Sequence, residues 1–562
     1  MTALDSSPIP LYTDMFEHGP GRHVEAEVPT VTEAFLSQVN RRGNAPAILD
    51  ERLDVVLTWR QYGMAARRAS AGLRAIGLRR GDNVGLLLTN RPEFHVADIA
   101  VLLAGGTPFS LYQSSAPEQL AEILSGSVCR VVITEPQFES RVQAALRLVD
   151  APAPCVVTVG TSSWAELVSA EPAEPDPTCY AGLSTASPSD LATVSYTAGT
   201  TGAPRGAELT HHAVMTTVTH LAKDLGVRPG MRSISYLPMA HIAERIGSHY
   251  LPMITGSSIV CCRDAARLVP VLGHTQPEIF FSPPRLWEKL KAATVRAAEA
   301  GVDPELIRRA IGLGHTEIAL VGAAACPPDV VEYFRSIGVP LRESYGMTET
   351  AGVVSISALD DAGCVGKPLP HNEVRVGYDG ELFVRSASMM VRYRDSPEAT
   401  NRVLDAQGWL RTGDAGRIDH DGRIWILDRK TDLIINSSGT TLSPANIEAR
   451  LRDADPLIEH ACVIGNGRPY NVALVVVDPA RAAQHPTGDA LTAAVHAHIE
   501  RVNQRLSPAE QVKRFALLDK AWLPDSDELT VTMKLKRRAI EHKYAGQIDA
   551  LYAAPLAGPI GR

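Results

Sequence analysis

Tyr196-Thr197-Ala198-Gly199-Thr200-Thr201-Gly202-Ala203-Pro204-Arg205-Gly206 decides how this chain is read. Three glycines and three threonine hydroxyls within eleven residues can turn backbone N–H and side-chain O–H groups inward on an anion, and Arg205 adds charge. Before it, Leu191 to Tyr196 alternates apolar and polar residues, which predicts a strand feeding the loop. Gly199 and Gly202 are too close together for the G-x-x-x-x-G-K-[ST] pattern, and no Lys-Ser/Thr pair follows. A Walker-type ATPase is therefore excluded. Taken alone, the stretch also fits a surface turn, so its meaning depends on its surroundings.

Those surroundings span 562 residues, too many for one core at roughly 150 residues per domain. Lys and Arg number 55 against 63 Asp and Glu, a net charge of −8 that argues against a nucleic-acid binder. Eight cysteines are scattered without a C-x-x-C pair or zinc spacing, as expected of free thiols in a reducing compartment. The first thirty residues lack the basic start and apolar core of a secretory signal. The most apolar stretch, Ala97 to Leu103, is interrupted by Asp98 and closed by Gly105-Gly106, well short of a membrane span. A cytoplasmic protein without a transmembrane segment is expected, with peripheral membrane contact left open.

Short apolar segments at 83–88, 131–134, 155–159, 233–237, 257–261, 279–281 and 318–321 alternate with helical stretches such as 62–76 and 285–300. This predicts an α/β fold with parallel-rich sheets flanked by helices, where ligands bind beyond the carboxyl ends of strands. From Gly380 the pattern changes to hairpins with Asp-Gly turns at 379–380 and 421–422, a β-rich subdomain. After Asp428 comes a compact α+β pattern: a helix with Ser443 as N-cap and Pro444 in its first turn, then apolar strands at 461–464 and 472–477. The expected division is a large N-terminal domain, 1–430, and a small mobile C-terminal domain, 431–562.

Four further segments complete a recognisable order: Val321-Gly322-Ala323-Ala324, Arg342-Glu343-Ser344-Tyr345-Gly346-Met347-Thr348-Glu349-Thr350, Gly408-Trp409-Leu410-Arg411-Thr412-Gly413-Asp414, and Glu528 to Arg538 around Lys534. With the phosphate loop they resemble the adenylate-forming superfamily of acyl-CoA synthetases, luciferase-like enzymes and peptide-synthetase adenylation domains. The resemblance is closest to bacterial long-chain fatty acyl-CoA synthetases.

It implies ATP, Mg²⁺ and CoA as cofactors and a medium- to long-chain fatty acid as substrate. Thr197, Gly199, Thr200, Thr201, Gly202, Arg205 and Gly206 would hold phosphates, and Gly322 and Ala323 would offer bare backbone to adenine and acyl chain. Tyr345 beside Gly346 would stack on adenine, Thr348 would bond the α-phosphate, and Glu349 would ligate Mg²⁺. Asp414, assisted by Arg429, would accept from the ribose hydroxyls, because two carboxylate oxygens suit two adjacent donors. Lys534 would bridge the attacking carboxylate and the α-phosphate. Gly439 would line the thiol tunnel. His241, in Tyr236-Leu237-Pro238-Met239-Ala240-His241, would gate acyl pocket and tunnel, with a capping histidine as the other reading. The absence of an Asp near Ala240-His241 disfavours an α-amino acid substrate.

The chain departs from the family pattern at Ala198 for Ser or Thr, at Arg205 for Lys, at Thr431 in the hinge, and at Gly439-Thr440-Thr441. Loading of an acyl carrier protein, an aryl or alicyclic acid, or adenylate binding without turnover remain alternatives. His485 to Asp489 and the His496/His498 pair are set aside as chance, and no G-x-S-x-G nucleophile elbow occurs.

Overall fold

In a six-stranded sheet, Cys155–Thr158, Cys129–Thr134, Asn83–Leu87, Thr107–Ser110, Leu191–Thr197 and Arg205–Thr210 lie side by side in that order. Every neighbouring pair is parallel except the last, which is antiparallel. The computed structural model describes residues 28–149, 152–171, 186–197, 204–437, 440–453, 457–485, 487–523, 526–530 and 533–553. Leu191–Thr197 is the strand expected from the alternating pattern, yet its five interior residues, Ala192 to Tyr196, are all buried. Thr193 finds a backbone partner, its hydroxyl donating to the Pro108 carbonyl at 2.8 Å, whereas Ser195 Oγ is buried without one among the described residues. Both faces of a parallel-rich sheet are covered, so alternation in sequence does not produce alternation in exposure.

A second sheet of nine strands runs Lys367–Pro368, Gly352–Ile356, Leu341–Met347, Ile318–Val321, Ile279–Ser282, Arg232–Ser235, Ser258–Cys261, Pro46–Leu49 and Val55–Thr58. Its centre is parallel and both ends are antiparallel. The buried helix Pro92–Leu103 carries Asp98 in an apolar sequence. That charge is tolerated because Arg245 pairs with it at 2.5 Å and His249 bonds it at 2.9 Å, both also buried. Among the described residues no helix is long and apolar enough to cross a membrane. The helix expected at 62–76 begins earlier, Trp59–Ala75, because Thr58 and Gln61 form a reciprocal capping box.

The hairpin segments form a four-stranded antiparallel sheet, Asn372–Val376, Glu381–Ser386, Leu410–Ile418 and Ile424–Arg429. Gly380 (φ +75°) and Gly422 (φ +81°) supply the left-handed turn residues. Beyond Asp428 the helix Pro444–Asp453 starts as expected: the Ser443 hydroxyl accepts from the Asn446 N–H at 3.2 Å and donates to Asp428 at 2.7 Å. It packs near strands Ile458–Ile464, Asn471–Val477 and Val512–Leu517, the last parallel to its neighbour. Ion pairs tie this unit to the helix Pro284–Glu299: Arg285 to Glu459 at 2.6 Å and Arg452 to Glu288 at 3.8 Å.

Candidate active site

The strand Leu341–Met347 leaves the nine-stranded sheet through one 3₁₀ turn, Thr348–Thr350, and returns as Gly352–Ile356. Ala351 makes the reversal at φ +51°. Where the two strands cross, a Cβ on Gly346 would fall 1.6 Å from the Gly352 carbonyl oxygen, so only glycine fits. A register shift at Tyr345/Gly346 accompanies the close approach.

Tyr345 donates its hydroxyl to Asp414 Oδ2 at 2.7 Å. Arg429, facing Asp414 across the paired strands, places its guanidinium 3.0 Å from Oδ1 and donates to the Thr412 carbonyl at 2.9 Å. Burial raises the Asp414 carboxyl above its ordinary range, with Arg429 and the tyrosine hydroxyl opposing the shift. A carboxylate buried with two donors is held in one orientation, which suits recognition of adjacent hydroxyls.

Glu349, also buried, accepts from the Tyr393 hydroxyl at Oε1. Tyr393 in turn lies under Arg205, whose guanidinium carbon is 5.8 Å from the ring centroid. The backbone around Tyr393 is stitched to both neighbours. The Met390 N–H donates to Glu349 O at 2.8 Å, the Val391 N–H to Glu208 O at 2.9 Å, and the Arg394 N–H to Gly206 O at 2.8 Å. Sequence reasoning overlooked Tyr393, which carries no local signature of phosphate or metal chemistry. Magnesium keeps several waters and takes one or two carboxylates plus substrate phosphates. Glu349 alone fits that pattern. Among the described residues no group of three or more His, Cys, Asp or Glu could hold a metal by itself.

Lys534 sits at the tip of a tight turn in the small unit. The Thr530 N–H donates to the Lys534 carbonyl at 2.8 Å, the Lys534 N–H donates to the Thr530 hydroxyl at 3.0 Å, and Met533 takes φ +64°. The residue is exposed, with protein near enough to desolvate its ammonium in part. That crowding, then the Arg429 guanidinium, lowers its ammonium to about 8, with Asp414 and Glu349 acting in the opposite direction. All three groups are thus electrostatic neighbours of one lysine.

Of the two readings of His241, the structure shows the capping one. Its Nδ1 accepts from the Ala243 N–H at 3.2 Å, capping the turn Ile242–Glu244. Burial and then Lys534 depress the imidazole to about 4, so at neutral pH Nε2 carries the remaining proton. Gly322 has a packing reason for being glycine: a Cβ would lie 2.4 Å from Ser344 Oγ, while Ala323 takes φ +67°. Gly206 likewise packs on Val194 and Tyr196, 2.7 and 2.9 Å from its would-be Cβ. The Thr197 hydroxyl donates to the Arg205 carbonyl at 3.3 Å, closing the base of the loop. The loop therefore joins two antiparallel strands at a sheet edge, where a strand-to-helix turn would be usual for parallel sheets. Gly199, Thr200, Thr201, Gly202 and Gly439 lie outside the described residues. Thr348 opens the 3₁₀ turn beside Glu349 and is half-buried.

The AMP-binding enzyme family matches residues 35–394, and the AMP-binding enzyme C-terminal domain matches residues 431–555. A Mycobacterium tuberculosis (strain ATCC 25618 / H37Rv) protein that carries the name fatty-acid–CoA ligase fadD11 is 37% identical over 429 residues, covering 66% of this chain and 75% of its own length. The long-chain-fatty-acid–CoA ligase FadD15 of the same strain is 30% identical over 553 residues, 86% of this chain and 90% of its own. The crystal structure of the anthranilate CoA ligase AuaEII with anthranoyl-AMP superposes with a TM-score of 0.76 at 20% identity, covering 93% of this chain and 99% of that one, a likeness of fold.

Proposed function

The chain belongs to the AMP-binding enzyme family, and on that premise we propose that it activates a medium- to long-chain fatty acid with ATP and transfers the acyl group to CoA, releasing pyrophosphate and AMP. One observation carries the reading: Tyr345, Asp414 and Arg429 form a bonded group, Arg205, Tyr393 and Glu349 form a second, and Lys534 is an electrostatic neighbour of both.

A free carboxylate resists acyl transfer because oxide would have to leave. Attack of its oxygen on the α-phosphorus of ATP forms acyl-AMP and expels pyrophosphate; attack of a thiolate on the acyl carbon then expels AMP. Asp414 binds the ribose through its two oxygens, and the Tyr345 ring supports the adenine. Arg205 and the loop residues Thr197 to Gly206 neutralise the phosphates, Thr348 bonds the α-phosphate, and Gly322, Ala323 and Gly346 give the ligand close backbone approach. Glu349 would hold the Mg²⁺ that accompanies ATP, and the ion would supply charge neutralisation on the phosphates. Lys534 lies between two incoming anions and lowers their mutual repulsion where charge develops. The neutral His241 presents Nε2–H toward the acyl side and orients the acyl group for the thiol.

The two half-reactions need different neighbours around one acyl group. Rotation of the unit 431–562 against 1–430 about Thr431 would withdraw Lys534 and bring Gly439 toward the thiol. The Arg285–Glu459 and Arg452–Glu288 pairs would break in that movement.

The experiment is pyrophosphate release across a panel of carboxylic acids, with and without CoA, with the products identified by mass. Fatty acids should release pyrophosphate, and acyl-CoA should appear only with CoA. Acyl-AMP that resists CoA but loads a carrier protein would move the acceptor to a protein thiol. Turnover of aryl acids alone would change the acid, and no release with any acid would leave a binding module.

A further inference from the structure

We propose that Tyr393 is a positioning residue for adenylation: its hydroxyl fixes one oxygen of Glu349 so that the other is presented to magnesium, and its ring seats Arg205 on the phosphate side of that carboxylate. The inference rests on the adenylation reading above and adds a residue to which neither the motifs nor the comparisons give a role.

The geometry has three parts. The hydroxyl donates to Oε1 alone, leaving Oε2 without that contact. A carboxylate with one oxygen fixed cannot swing freely, and a ligand carboxylate held by a hydrogen bond meets its metal in a defined orientation. The ring, 188 residues from Arg205 in sequence, lies beneath the Arg205 guanidinium at 5.8 Å. One side chain thus sets the spacing between a cation meant for phosphate and an anion meant for metal.

The backbone explains how Tyr393 keeps that place. An isolated bridge pairs Tyr393 with Ala207, and flanking N–H groups bond to Gly206, Glu208 and Glu349. The Tyr393 N–H itself donates to the Thr400 hydroxyl at 3.0 Å. Arg394 and Arg392 clamp Glu208, each at 2.9 Å, on either side of the tyrosine. The segment around Tyr393 is therefore tied to the strand Arg205–Thr210. Phenylalanine would retain the ring under Arg205 and delete only the bond to Glu349, which separates the two functions of the side chain.

The test is magnesium-dependent ATP binding, read by thermal unfolding of the full chain with ATP fixed and Mg²⁺ titrated, for wild type, Tyr393→Phe, Glu349→Gln and the double variant. Expected for Tyr393→Phe are an unchanged melt without ligand, unchanged ATP binding in EDTA, and a magnesium midpoint raised roughly 10-fold. The double variant should be no worse than Glu349→Gln, because both changes remove the same constraint. An unmoved midpoint in Tyr393→Phe, or effects that multiply in the double variant, would overturn the proposal. So would loss of the cooperative melt without ligand, which would assign Tyr393 to the core. A wild-type chain indifferent to magnesium would instead bring down the adenylation reading, and Tyr393's role with it.

Discussion

The acidic and the cationic groups of the site are held on opposite principles. Both acidic groups already have a partner: Asp414 accepts from Tyr345 and pairs with Arg429, and Glu349 accepts from Tyr393. Two cations, Arg205 and Lys534, differ from them. Among the described residues, neither Arg205 nor the Lys534 ammonium pairs with a carboxylate, whereas Arg228, Arg232, Arg285, Arg342, Arg385 and Arg411 all do. The difference separates recognition from reaction. Hydroxyls are read by acceptors fixed in advance, which limits the ordering cost of binding. Phosphates and an incoming carboxylate bring the missing negative charge themselves, so the cations that meet them gain most when left unpaired until then.

This contrast can be broken most severely at its cationic end. Lys534→Ala should slow acyl-adenylate formation about 100- to 1,000-fold in single-turnover assays, while ATP binding by calorimetry stays close to wild type. At the preorganised end, Asp414→Asn should act on binding instead. Loss of a hydrogen-bond acceptor's full charge is worth about 1.5–3 kcal/mol, so KM for ATP should rise roughly 10- to 100-fold with a smaller change in kcat.

The pH profile sharpens the comparison. Lys534 titrates at about 8 in the free enzyme, so its charged form is complete below that pH and lost as pH rises through it. First-half-reaction kcat/KM should accordingly fall about tenfold between pH 7 and 9, since kcat/KM reports groups of the free enzyme. Lys534→Arg, always charged, should abolish that limb. His241, neutral above about 4, should add no acidic limb between pH 5 and 7. The smallest effect belongs to Arg205→Lys. It restores the family's usual residue but gives up the flat contact with Tyr393, worth about 0.5–1 kcal/mol, so activity should change only two- to fivefold.

How much of this was legible in the sequence follows the same division. Residues in contiguous motifs were readable because local pattern and chemistry coincide. Tyr345 and Glu349 stand in one unusual nine-residue stretch and Asp414 in an unusual heptapeptide, and the Asp-Gly turns and Ser443 cap follow from backbone preferences alone. Tyr393 was not readable, because its meaning comes from a contact with Glu349, 44 residues away in sequence. The all-buried strand Leu191–Thr197 was legible as a strand and not in its exposure, since what covers a sheet is decided by other segments. Gly322 and Gly206 point to a further limit: sequence suggested bare backbone for a ligand at the first and a phosphate-holding loop at the second, and the fold also requires both for packing, so the pressures cannot be told apart from residue type. The strand Val512–Leu517 went unread because Lys513 and Arg514 interrupt its apolar run.

The most direct measurement is a crystal structure of the chain with a non-hydrolysable acyl-adenylate analogue. The prediction is one analogue bound in one cleft, its two ribose hydroxyls on Asp414, its phosphate mimic within reach of Arg205 and Lys534, and its acyl chain leading away past His241. An analogue seated elsewhere, or touching Asp414 with Arg205 and Lys534 both remote from its phosphate mimic, would contradict the account.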